Sequence, residues 1–240
     1  AEGGWDGFSA TAFYFGREIH QKLGVAVGLI DADWGGTRIE SWTAPEGFAS
    51  VPALKDESDR VQLADPKSEA YQKRLQQSLG ELDQWHQTAR AALQNGRPAP
   101  PAPNLPDELR GPQELQQATA LYNGMIHPLV PFAIRGAIWY QGESNVGRAA
   151  EYSVLFPAMI ESWRRVWKNR NLDFYFVQLA AYGTPHDSTT DSGWAELRDA
   201  QTAALKLPRT GMAVAIDAGE EKDIHPIRKD LIGQRLAAVA

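Results

Sequence analysis

Short apolar runs alternate with longer stretches of helical periodicity along most of this chain, and that alternation constrains the fold more than any other feature. Val25-Ala-Val-Gly-Leu-Ile-Asp31, Gly136-Ala-Ile-Trp-Tyr140, Asp173-Phe-Tyr-Phe-Val-Gln-Leu179 and Gly211-Met-Ala-Val-Ala-Ile-Asp217 are apolar almost throughout. A parallel strand covered on both faces reads this way, whereas a half-exposed strand alternates. Phe8, Ala12, Phe15, Ile19 and Leu23 recur at helical spacing and stop at Gly24, a glycine helix terminator. Tyr152, Leu155, Phe156, Met159, Ile160, Trp163 and Val166 mark the buried face of a second helix over about 149–168, residues 194–207 form a third, and a last helix begins near Ile227. Strands alternating with helices imply parallel βαβ units and a doubly wound α/β sheet. Four such strands are too few to close an eight-stranded barrel, so an open three-layer sandwich is expected. The chain opens on a helix where this architecture normally opens on a strand, and a first strand is therefore expected upstream.

Residues 47–115 break the rhythm. Tyr71, Leu75, Leu79, Leu82, Trp85, Ala89 and Leu93 form one stripe on a long charged helix, and the proline-rich stretch 97–112 suits neither helix nor central strand. These residues are expected to be an insertion on a single domain spanning 1–240. A chain of 240 residues, 43% hydrophobic, has enough apolar material for a sizeable core. A net charge of −6 argues against nucleic acid or an anionic membrane as partner. No run reaches the roughly 18 apolar residues of a membrane span, and no signal peptide is visible. The absence of cysteine excludes disulfides and thiolate chemistry but leaves the compartment open. Of the eight tryptophans, Trp34, Trp42, Trp139 and Trp194 lie in or beside polar loops, where indole can stack on a sugar ring, although large aromatics more often build core.

Ligands bind outside the carboxyl ends of strands in open α/β sheets. Three loops there should converge: residues 33–42, 141–145 and 217–226. They offer Gly35 and Gly36 as unhindered backbone donors, Gln141 and Asn145 as side-chain donors, Glu143 and Asp223 as carboxylates, and His225 as a base. A tetrahedral oxyanion needs donors already aimed at it, and a hydroxyl nucleophile needs an imidazole oriented by an acid, so the set suits acyl transfer. His225 stands out among the five histidines because Asp223 is two residues away and Pro226 stiffens the backbone; the plainer alternative is a helix-capping side chain. His127 is expected to be structural, His20 and His86 solvated, and His186 part of a polar loop. Two other chemistries compete. Glu143 with Asp217 or Asp223 would suit a two-carboxylate glycosidase. Glu220, Glu221, Asp223 and His225 are close in sequence but lack a metal-specific spacing, so neither metal nor cofactor is expected.

Leu121-Tyr-Asn-Gly-Met-Ile, Gly136-Ala-Ile-Trp-Tyr-Gln-Gly-Glu-Ser-Asn145, Phe176-Val-Gln-Leu, Trp194-Ala-Glu-Leu-Arg-Asp-Ala-Gln201 and Asp223-Ile-His-Pro226 together resemble the sialate O-acetylesterase family of SGNH (GDSL-like) hydrolases, close to the acetyl xylan esterases of carbohydrate esterase family six. The resemblance implies a flavodoxin-like α/β/α fold and metal-free, serine-dependent hydrolysis of acetyl esters on sugars by a commonly exported protein. His225 would be the base, Gly36 an oxyanion donor, and Gln141 or Asn145 the side-chain donor. The acid is Glu143 or Asp223, because Lys222 occupies the position three before the histidine where the superfamily usually carries an aspartate. The family's nucleophile lies in a Gly-Gln-Ser-Asn segment after the first strand, which these residues do not contain. Ser9, Ser41 and Ser144 are nearest by position, and each suits a cap, a turn or a loop hydrogen bond. The expectation is an esterase whose serine lies outside this chain; the alternative is a non-catalytic sugar-binding remnant.

Overall fold

The computed structural model describes residues 7–111, 114–183 and 192–240. Its centre is a parallel sheet in the order β1-β2-β3, formed by β1 (Gly136–Trp139), β2 (Asp173–Gln178) and β3 (Thr210–Val214). The alternation of side chains along β2 shows why Phe174, Tyr175, Phe176 and Val177 are aromatic or aliphatic in succession. Phe174 and Phe176 enter one core with Phe156 and Trp163, while Tyr175 and Val177 face a second with Ile232 and Leu236. Each face is covered by helices, giving three layers: α6 (Ala149–Val166) and α7 (Gly193–Thr202) on the first, α1 (Ala10–Leu23) and α8 (Lys229–Val239) on the second. The expected buried face of α6 is present, with Tyr152, Leu155, Phe156, Met159, Ile160 and Trp163 all buried.

The strand expected at 25–31 is not formed. Among the described residues the sheet has three strands, and this segment forms no regular element and no ladder; Val25 and Ile30 are 47% and 48% exposed. Its attachments are to α1: Leu29 lies over Gly16, the Ser9 amide donates to Asp31 Oδ2 at 2.7 Å, and His20 Nδ1 bonds the Val25 carbonyl at 2.7 Å. An apolar run records that both faces want cover, but a strand also needs a neighbour along its edge, and none among the described residues pairs with this one.

After the loop, the chain makes two short helices, α2 (Ile39–Trp42) and α3 (Pro45–Ala49), whose Trp42 and Phe48 enter the first core. The region 47–115 then carries α4 (Lys55–Ala64) and the 26-residue α5 (Glu69–Gln94), which begins on a Ser68 cap accepting from the Tyr71 amide. The proline-rich strand of chain after it returns along α5, where Trp85 Nε1 donates to the Pro100 carbonyl at 2.8 Å. Pro112 and His186 lie outside the described residues.

Candidate active site

The first two loops interlock through backbone groups that the sequence leaves free. Gly36 adopts φ +71°, a left-handed conformation natural to glycine, and turns the chain so that Thr37 Oγ1 donates to the Trp34 carbonyl while accepting from Trp42 Nε1. Across the gap, Gln141 Nε2 donates to the Thr37 carbonyl at 3.0 Å and to Asn145 Oδ1 at 2.8 Å, and Gln141 Oε1 accepts from the Tyr152 hydroxyl at 3.2 Å. Both amide hydrogens of Gln141 are therefore engaged. Asn145 Oδ1 also accepts the Ile39 amide at 3.0 Å, and Asn145 Nδ2 donates to Glu40 Oε2 at 2.9 Å, leaving its second hydrogen. Glu40 is buried in α2 and its other oxygen pairs with Arg148 Nη1 at 2.6 Å. Gly35 and Gly36 are exposed, and open space surrounds the position where a side chain would begin on Gly36.

The third loop brings the titratable groups. His225 Nδ1 lies 3.4 Å from Asp223 Oδ1, the same oxygen accepts the His225 amide at 2.8 Å, and both side chains are 54% exposed. Glu143 begins a single 3-10 turn (Glu143–Asn145) behind Gly142, and burial raises its pKa. The bonds from its own and the Gly142 amides, with the charges of Lys229 and His225, oppose that rise. Lys229, the first residue of α8, has its ammonium 4.7 Å from the centre of the Tyr140 ring and faces both Glu143 and Asp223; burial lowers its pKa. The structure thus gathers Tyr140, Glu143, Asp223, His225 and Lys229 at one end of the sheet, with the Gly36–Asn145 junction reaching it through the turn that holds Glu143 and Asn145.

Several expected residues go elsewhere. Asp217 is held by both terminal nitrogens of Arg235, which keeps its pKa down at about 2, so the carboxylate left to share the site with Glu143 is Asp223. Among the described residues no three carboxylates or imidazoles converge as a metal site. Ser41 is wholly buried, with its hydroxyl donating to the Arg38 carbonyl, and Ser9 Oγ caps α1 by accepting the Ala12 amide. Ser144 is half-buried in the turn. Trp42 and Trp139 are core, stacked edge-on at 5.8 Å, whereas Trp34 is 53% exposed beside Gly35 and Trp194 packs on Tyr182 at 5.4 Å. His127 stacks edge-on against Tyr122. Glu40, Arg148 and Lys229 carry no sequence signal of a site: the Glu40–Asn145 bond spans 105 residues of chain, and a lysine opening a helix is simply unusual.

A family model described as carbohydrate esterase, sialic acid-specific acetylesterase, matches residues 111–239. Sialate O-acetylesterases of Rattus norvegicus and Mus musculus are 32% and 31% identical to this chain over 95% of its length, and that of Homo sapiens 29%. A solved carbohydrate acetylesterase from Xanthomonas citri covers 97% of this chain at 32% identity with a TM-score of 0.67. The chain spans 41% of the mouse and rat proteins and 40% of the Xanthomonas citri chain.

Proposed function

The chain belongs to the carbohydrate esterase family of sialic acid-specific acetylesterases, and on that premise we propose that its protein hydrolyses O-acetyl esters on sugars, sialic acid foremost, by a serine–histidine–acid mechanism. The serine is contributed from outside residues 1–240. Its hydroxyl attacks the acetyl carbonyl as His225 Nε2 takes the proton, and the tetrahedral oxyanion is held by the Gly36 amide and the second hydrogen of Asn145 Nδ2. Collapse expels the sugar alkoxide, which His225 protonates; water then attacks the acetyl-enzyme and releases acetate. Asp223 orients the imidazole through Nδ1, and Glu143 supplies a second, half-buried carboxylate facing the imidazolium. Gln141 holds the two loops in register, with both its amide hydrogens on protein acceptors. Gly35 leaves room for the acyl group and Trp34 offers its exposed face to the sugar.

The single observation that carries this proposal is the meeting of a histidine–carboxylate pair with two interlocked donor loops at one end of the sheet. We read residues 1–240 as one domain with an insertion over 47–115. A glycosidase fits less well with Asp217 bound to Arg235. On the complete protein, His225→Ala is expected to lower acetate release from O-acetylated sialic acid at least 1,000-fold, on the order of the loss of a triad member. Undiminished turnover would overturn the assignment. Sugar binding without turnover in the unmutated protein would instead mark a non-catalytic remnant.

A further inference from the structure

We propose that Glu40 is the positioning residue that aims Asn145 at the oxyanion, with Arg148 as the counter-ion that lets a carboxylate do so while buried. The proposal rests on Asn145 being an oxyanion donor. A carboxamide has two ends of similar size, and nothing in its shape decides which points where. Here the choice is forced twice. The Ile39 amide and Gln141 Nε2 both donate to Asn145 Oδ1, and Glu40 Oε2, which can only accept, takes a hydrogen from Nδ2. With one Nδ2 hydrogen fixed, the planar amide leaves the other in a single direction. Glu40 is in turn locked: its backbone carbonyl accepts the Thr119 amide at 3.0 Å, and Oε1 pairs with Arg148 Nη1 at 2.6 Å. Arg148 bonds Glu151 as well, so the clasp ties α2 to the start of α6 across the donor loop.

Burying the Glu40 carboxylate costs desolvation, and Arg148, 32% exposed, offsets that cost only in part. Ile39, Trp42 and Phe48 already bury this region, yet a carboxylate sits among them. Orientation accounts for a carboxylate here: an acceptor-only group can face both Asn145 Nδ2 and a guanidinium. Glutamine at 40 would satisfy one of them and turn its own amide hydrogens on the other.

The test is a double-mutant cycle on the complete protein with an aryl acetate substrate. Glu40→Gln should lower kcat about 10–100-fold with KM within about twofold, short of the 100–1,000-fold loss of a whole oxyanion donor. Glu40→Gln in an Asn145→Ala background should cause no further loss, because the residue being aimed is gone. Wild-type kcat in Glu40→Gln, or losses that multiply, would overturn the proposal, since a purely structural clasp lowers Tm without a kcat effect that depends on Asn145. If Glu40→Gln does not fold, Glu40→Asp applies the same cycle by withdrawing the carboxylate one methylene. The His225→Ala control separates the two ideas: undiminished turnover there contradicts the esterase reading, whereas a dead His225→Ala with multiplying losses contradicts only the role of Glu40.

Discussion

Gly36 and Glu143 show how single residues at this site trade stability for placement. A side chain at φ +71° is strained, so Gly36→Ala is expected to cost about 1–2 kcal/mol in chemical denaturation and to lower kcat by displacing the amide we propose as an oxyanion donor. Glu143 has a raised pKa because burial penalises its charge. A raised carboxylate contributes stability below its unfolded pKa and loses it as pH rises through the folded value. Glu143→Gln should therefore raise Tm at neutral pH and leave it unchanged in acid, as thermal melts at the two pH values will show. In activity the sign is opposite. If ionised Glu143 supports the imidazolium, the acid limb of kcat/KM owes part of its position to that carboxylate, and the limb should move in Glu143→Gln. Asp223→Asn should lower kcat through loss of the Nδ1 contact, and pH–rate profiles of both variants separate the two carboxylates.

At the scale of elements, α6 and β2 carry the first core through Phe156, whose ring lies 5.0 Å from Phe176, 5.3 Å from Tyr152 and 6.1 Å from Phe174. Phe156→Ala should destabilise by about 3–5 kcal/mol in urea denaturation, the usual cost of emptying a buried aromatic site. The second core depends on close approach. A Cβ at Gly233 of α8 would sit 2.6 Å from Tyr14 Cβ and 2.8 Å from the Phe15 nitrogen, so Gly233→Ala must push α1 away and should cost about 1–3 kcal/mol, with faster amide exchange in α1. These elements were legible in the sequence because each carries its own periodicity. The failure at 25–31 is equally physical: an apolar run suits a covered strand, but cover and pairing both depend on neighbours that no local pattern encodes, and this segment is left exposed or half-exposed. In the site, His225, Asp223 and Glu143 were visible as chemical groups at strand ends. Glu40 was not, because a glutamate in a short polar loop reads as solvated until Asn145 and Arg148 arrive from more than a hundred residues away.

For the whole molecule, the three loops bring the His225–Asp223 pair, Glu143 and the interlocked loops of Gly36 and Asn145 to one end of the sheet. Among the described serines Ser41 is buried and Ser9 caps a helix, while Val25 and Ile30 are about half exposed. We propose that this end of the sheet is completed as a serine esterase by chain outside these residues. It is tested most directly by treating the complete protein with a fluorophosphonate and mapping the modified peptide by mass spectrometry. One adduct is expected, on a serine outside residues 1–240, formed in the wild type and lost in His225→Ala. An adduct on Ser144, or hydrolysis of acetyl esters with no adduct at all, would contradict it.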